Sequence, residues 1–433
     1  MQSLLLLLAL IVVVALLARF GSGWYLGSEH FRRQITSAVD RELMAKGRFT
    51  PFRFTGGTFY SDSFAAEGKR RAFFSELRAD QIRAVVNWRG LLGRRWEVDE
   101  LSIQNLEVRF AGRTPEGKTK PAQPRSSPKK KKPTSWKLDL RKAVVAQSSW
   151  HWGISEATSG SLTKSGFVLT PAEGGWLIDA SSGLLAQTGW PLLAVESARL
   201  RYTGGSLFVT KSTFRAGDGR IDLAGEVNFR RAADFEARLD QIDLTPLLTS
   251  DWRMRLQGKL AGSAKIHAPL PQGTMTVTGD LNLLDGQLEA LPILNQIATF
   301  TRTERFRHIT LTRGSLSFTK NGDSVSVQNL ILESEGLLRV EGNCTIAHQK
   351  IDGIFQLGVT AASLQWLPGS QARVFTVARA GYYWTPAHVT GSIDHPHEDL
   401  TKRLVAAAAG ELLQNPEKTL QDAAKSLLDL IPH

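Results

Sequence analysis

Hydrophobic and polar residues follow three rhythms along the chain. Leu4 to Ala18 is an unbroken apolar run, and the stretch continues to Leu26 with Arg19 as its one charge. About 20 apolar residues cross a bilayer, so residues 1–27 are expected to form a transmembrane anchor. A cleaved signal peptide is the competing reading. No A-x-A pattern follows the run, however, and Trp24 and Tyr25 fit interfacial positions. Next, Phe31, Ile35, Val39 and Leu43 recur at helical spacing, which predicts an amphipathic helix over 28–47 with Gly47 as its stop.

From Arg48 to about His395 the period changes to two, with turn residues every eight to twelve positions. That is the pattern of strands. Short helical exceptions are expected at 88–92, 245–248 and 292–300. Lys320-Asn321-Gly322-Asp323 and Gly217-Asp218-Gly219 read as hairpin turns. The predicted fold class is therefore mainly β, a long curved antiparallel sheet, with an N-terminal β segment over 48–112 and a larger β region over 136–396. Helical spacing returns over 397–433, first through Leu400, Leu404, Ala408 and Leu412, then through Leu420, Ala424, Leu427 and Leu428 beyond Asn415-Pro416.

Within the strands one frame repeats. Ile221, Leu223, Gly225, Val227 and Phe229 alternate with polar or small residues, which puts a glycine at the centre of an apolar face. Met275, Val277, Gly279, Leu281 and Leu283 repeat it, as do Leu338, Val340, Gly342, Cys344 and Ile346, with partial copies at Leu256-Gly258-Leu260 and Val389-Gly391-Ile393. Two readings of these glycines are open. Glycine is tolerated where a strand bends, and it also leaves room for a ligand.

Charge is concentrated in one stretch of the chain. The chain carries 53 Lys and Arg against 41 Asp and Glu, a net charge of +12. Nine of the basic residues lie between Arg113 and Lys137, against Glu116 alone. Five prolines and almost no apolar residue share that stretch, so 113–135 reads as a disordered basic linker. From composition alone, excising Lys118 to Lys132 is accordingly expected to change stability little. A charge run in a Pro-rich tract is ordinarily a soluble spacer, and nucleic acid is not an expected partner.

Candidate chemistry is sparse. Gly112 to Thr119 matches the P-loop spacing literally, but Pro121 and Pro124 forbid the helix that a P-loop must open. His395 and His397 are metal-competent side chains, yet Pro396 and the acidic residues beside them fit a strand-to-helix turn. No G-x-S-x-G, H-E-x-x-H or G-x-G-x-x-G occurs. Trp150, Trp152 and Trp176 suit a core as well as sugar stacking. The lone Cys344 excludes an intrachain disulfide and any multi-cysteine metal site. The expectation is a protein without catalytic residues, metal or cofactor.

The anchor, the helix before Gly47, and the run from Arg95 to Phe110 resemble the opening of AsmA-like bacterial envelope proteins. Leu291-Pro-Ile-Leu294, Gly314 to Phe318, Val327 to Leu330 and Val340-Glu-Gly342 resemble the layout of that family's C-terminal module. The family is related to the bridge-like lipid transfer proteins. The resemblance implies an open half-pipe sheet whose apolar inner face carries phospholipid or another acyl lipid. It further implies a single-pass inner-membrane protein with its bulk in the periplasm, acting in outer-membrane lipid transport or assembly, with envelope partners at the C-terminal helices. The basic residues Arg19, Arg32 and Arg33 after the span favour the opposite orientation. On this reading Leu223, Gly225, Val227, Val277, Gly279, Leu281, Val340, Gly342 and Ile346 line the lipid path. The alternatives are an envelope scaffold without lipid cargo and a carbohydrate-active enzyme on a long β-platform.

Overall fold

A computed structural model describes residues 28–69, 72, 74–87, 95–110, 137–153, 159–188, 190–229, 231–270, 273–289, 306–364 and 370–414. The anchor, the exceptions at 88–92 and 292–300, the P-loop match, the linker and the second C-terminal helix lie outside the described residues. The described chain is mainly β, with 24 strands and few helices. It divides into two compact units, Met1–Phe214 and Arg215–His433.

The first unit opens with α1 (Glu29–Leu43), capped by the Ser28 hydroxyl, which accepts from the Phe31 N–H. The helix does not run to Gly47. Met44 adopts the left-handed conformation at φ 52° and turns the chain directly into β1 (Ala45–Phe49). Gly47 lies inside that strand, where its N–H donates to Asp40 Oδ1 at 2.7 Å and the Phe64 ring fills the place of a side chain. The expected stripe is real. Val39 and Leu43 pack against a core of Ala45, Phe64, Ala66, Phe74, Ala79 and Val108, and Phe31 stacks on Phe59 at 5.8 Å.

Strands β2 (Arg53–Thr55), β3 (Thr58–Gly68), β4 (Phe74–Asn87) and β5 (Arg95–Phe110) continue this sheet with antiparallel pairing. The expectation of a wholly antiparallel sheet is then corrected. β6 (Lys137–Leu140) and β7 (Ala143–Trp152) both run parallel to β5, with Arg95 opposite Lys137 and Arg109 opposite His151. Antiparallel order resumes through β8 (Gly160–Ala172), β9 (Gly175–Ser181), β10 (Leu184–Gln187) and β11 (Leu193–Thr203), followed by β12 (Ser206–Ala216). The reason is topological: a parallel neighbour needs a crossover connection, and residues 111–136 are long enough to supply one.

In the second unit β13 (Gly219–Asn228), β14 (Ala232–Asp243), β15 (Leu256–Pro269) and β16 (Thr276–Glu289) pair in sequence. The short β17 (His308–Thr310) and then β18 (Arg313–Asn321) both pair with β16. β19 (Ser324–Ser334), β20 (Leu338–Ala347) and β21 (Lys350–Thr360) follow as a meander. The Asn321-Gly322 hairpin stands where expected, as does the turn at Gly217. A 3₁₀ turn at Thr245–Leu247 and α2 (Ser250–Arg253) interrupt near the expected exception. Gln241, Asp285 and Asn329, each with φ between 51° and 53°, mark bulges where the register slips and the strand is re-aimed.

The last full strand, β23 (Tyr382–Ser392), has its outer edge covered along its length. β22 (Val377–Arg379) pairs with its first residues and β24 (Pro396–Glu398) with its last. Between them Pro386 has no N–H to offer, and Arg403 donates to its carbonyl. Asp399 Oδ1 accepts from the His388 N–H at 2.8 Å. Arg403 and Asp399 belong to, or directly precede, α5 (Leu400–Gln414). An edge so occupied is closed to strand addition. Asp399→Ala is expected to cost about 1 kcal/mol and to speed hydrogen exchange at the His388 amide; unchanged exchange would show that the carboxylate does not protect it.

Candidate functional site

The site is one face of the second unit's sheet. Strand alternation sends residues of one parity to each side, and the register then lines those residues up across strands. One row runs Leu223, Ala237, Ala264, Gly279, Phe318, Val327, Cys344, Gly353 and Val389, each directly opposite the next. A neighbouring row runs Gly225, Phe235, Ile266, Val277, Lys320, Val325, Ile346, Ile351 and Gly391. A third carries Ile221, Leu239, Gly262, Leu281 and Leu316. At ~4.8 Å per strand, each of the nine-strand rows crosses about 38 Å of apolar surface.

All nine residues expected to line the lipid path lie on this face and are half-buried. Phe235, Ile266, Phe318, Val325, Val327, Ile351 and Phe355 share it. The strands of Phe235, Val325 and Val327 carry no central glycine, so only plain alternation, as in Asp234 to Asp240, marks them in the sequence, whereas Ile351 and Phe355 flank Gly353 and Ile266 lies on the strand of the partial copy at Gly258. The opposite face is polar and pairs across strands, as in His267 with Asp234 at 2.6 Å and Ser317 with Asp280 at 2.6 Å.

The glycines hold no empty room. A Cβ on Gly279 would sit 2.3 Å from the Ser263 carbonyl oxygen and 2.9 Å from the Phe318 ring. On Gly225 it would meet the Asp234 carbonyl at 2.1 Å and Phe235 at 2.6 Å; on Gly342, the Ile354 carbonyl and Phe355, both at 2.6 Å. Each of these phenylalanines is the glycine's direct partner on the adjacent strand. Gly160 opposite Trp152 and Gly358 opposite Trp384 repeat the arrangement. The glycine therefore seats a cross-strand aromatic ring laid over the backbone. Neither reading drawn from the sequence described this role.

At one end the apolar face enters a closed core. Leu338, Leu357, Val359 and Ala387 join Phe306, Ile309, Phe375, Leu400 and Leu404, and Val340 and Leu332 pack against that cluster. The covering segments are α3 (Ala361–Leu364), α4 (Ser370–Arg373) and α5, which carries the expected Leu400 and Leu404 stripe. On the polar side at this end, Arg339 bridges Glu333 at 3.3 Å and Glu341 at 2.7 Å, while Tyr382 donates to Glu333 at 3.0 Å. Burial, reinforced by the Glu333 carboxylate, raises the Tyr382 phenol above its ordinary range.

Residues with chemical potential are otherwise occupied. Burial raises the Cys344 thiol, so at neutral pH it stays protonated and is a poor nucleophile. His397 lies on β24 against Gly391, and Glu398 accepts from the Thr401 N–H at 2.8 Å at the start of α5. No group of three or more His, Cys, Asp or Glu among the described residues could hold a metal ion. Trp150 lies between Phe110 and Phe167, and the Trp152 indole donates to Gln187 at 2.9 Å, both inside the sheet's own packing. No described helix is long and apolar enough to cross a membrane. The chain matches no family model, no curated protein and no solved structure.

Proposed function

We propose that the second unit binds acyl lipid along its apolar face, in a membrane-anchored envelope protein that contributes to outer-membrane lipid transport or assembly. The observation that carries this reading is the continuity of the face. Two of its rows cross nine strands, yet away from the helical end its side chains are only half-buried and join no buried cluster among the described residues. An apolar surface of that extent is costly to leave to water and marks a binding surface. The apolar run at 1–27 supports the anchor, and the resemblance to AsmA-like proteins supports the compartment. A long domain can be translocated despite unfavourable flanking charge.

Full-length protein extracted in detergent is expected to carry lipid detectable by native mass spectrometry. Val327→Glu, in the middle of the first row, should strip that lipid while the circular dichroism spectrum stays that of a β protein. A chain that is lipid-free as isolated, or a Val327→Glu chain that keeps its full load, would reject the reading.

A further inference from the structure

One position on the apolar face breaks its pattern. In the row that runs from Gly225 to Gly391, Lys320 stands between Val277 and Val325 and is the one charged side chain. It is half-buried, whereas its neighbours Thr319 and Asn321, on the other parity, are exposed. Its ammonium donates to the Gly322 carbonyl at 2.6 Å. No carboxylate among the described residues forms an ion pair with it, so two of its three donors are left for another partner.

Position adds direction. Lys320 lies at the hairpin end of the strands, near Met275, which is 45% exposed. The opposite end of the face is closed by the core under α3, α4 and α5. From Ile346, in the Lys320 row, to Val340 at the edge of that core, six residues of strand cover about 20 Å. Acyl chains of one leaflet occupy about 15 Å, half of a ~30 Å hydrocarbon layer. A cation at the open end of an apolar surface of that length matches an amphiphile with an anionic head.

We infer that the face takes an acidic lipid, with the anionic headgroup at Lys320 and the acyl chains on the apolar rows toward the helix-closed end. This rests on the lipid-binding reading above and adds to it the charge class of the ligand and the residue that selects it. The shared chemistry is an anionic oxygen, from either a phosphate monoester or a fatty-acid carboxylate.

The test incubates full-length protein with phosphatidylcholine vesicles carrying equal fractions of dioleoylphosphatidate and dioleoylglycerol, which differ only by the phosphate. Native mass spectrometry then reads the bound ratio. Phosphatidate is expected to dominate, and Lys320→Gln to lower the ratio about fivefold, the upper size of an ion pair that is partly exposed. Lys320→Arg keeps the charge and should keep the ratio. Lys265→Gln, on the polar face beside Glu236, should leave it unchanged. A parallel series with oleate decides the source: oleate bound in preference to phosphatidate, and lost in Lys320→Gln, assigns the carboxylate. Loading of both neutral and acidic lipid with no effect of Lys320→Gln would overturn the inference and leave the lipid reading standing. Absence of every lipid from the wild-type chain would end both.

Discussion

Gly279→Phe is expected to lower the unfolding free energy by about 3 kcal/mol, the upper part of the range for overpacking. The position has no room for a Cβ. Its missing side chain would run into the Ser263 carbonyl oxygen at 2.3 Å, a backbone atom that cannot rotate away, and into the Phe318 ring at 2.9 Å. The two causes separate in a double variant. Gly279→Ala meets both atoms, and adding Phe318→Leu removes the ring contact and keeps the backbone one, so the double variant should recover part of the Gly279→Ala loss and no more. Denaturant midpoints of the full chain, with the slope unchanged, measure both. An unchanged midpoint in Gly279→Phe together with loss of bound lipid would restore the reading of this glycine as empty ligand space.

Excising residues 118–132 is expected to break the pairing of β6 with the Arg95 end of β5, contrary to what the composition of the linker alone suggests. Lys137 stands opposite Arg95, at the far end of β5 from Phe110, where the connection starts. The fifteen residue steps from Arg95 to Phe110 measure about 50 Å at ~3.3 Å each. The connection must return over that length. With 118–132 removed, twelve Cα steps are left, which reach about 43 Å fully extended. The shortened chain cannot close the crossover at Lys137, so the amides of β6 should lose protection from hydrogen exchange, whereas β7 begins opposite Leu101, only about 30 Å from Phe110, and should keep it. Replacing the same fifteen residues by a Gly/Ser sequence of equal length should keep the protection, because length and not charge is what the topology requires. Full protection in the excised chain would show that the parallel pairing does not depend on this connection.

The local pattern of residues is enough to set the direction in which each strand side chain points. Alternation of period two decides that Leu223, Gly225 and Val227 share a face, that Val277, Gly279 and Leu281 share one, and that Val340, Gly342 and Ile346 do. It also placed the turn at Gly322 and the helical stripe through Leu400 and Leu404. These are local matters, set by residues a few positions apart.

Which side chains meet is set by pairing between distant segments. Gly279 and Phe318 are far apart in the chain, and their pairing follows from the register of β16 with β18, which no local pattern encodes. The parallel step at β5 is of the same kind, as is the isolation of Lys320 among apolar neighbours from two other strands. Bulges at Gln241, Asp285 and Asn329 shift parity part-way along a strand, so alternation read on one side of them misplaces the other. At α1 the sequence marked Gly47 as the stop because glycine accepts the left-handed conformation most easily. The chain turns at Met44 instead, since Gly47 is needed in β1 under the Phe64 ring. The physical reason is common to all of these. A side chain's orientation is fixed by its own backbone, whereas its neighbour is fixed by long-range hydrogen-bond pairing, whose energy belongs to two distant segments at once.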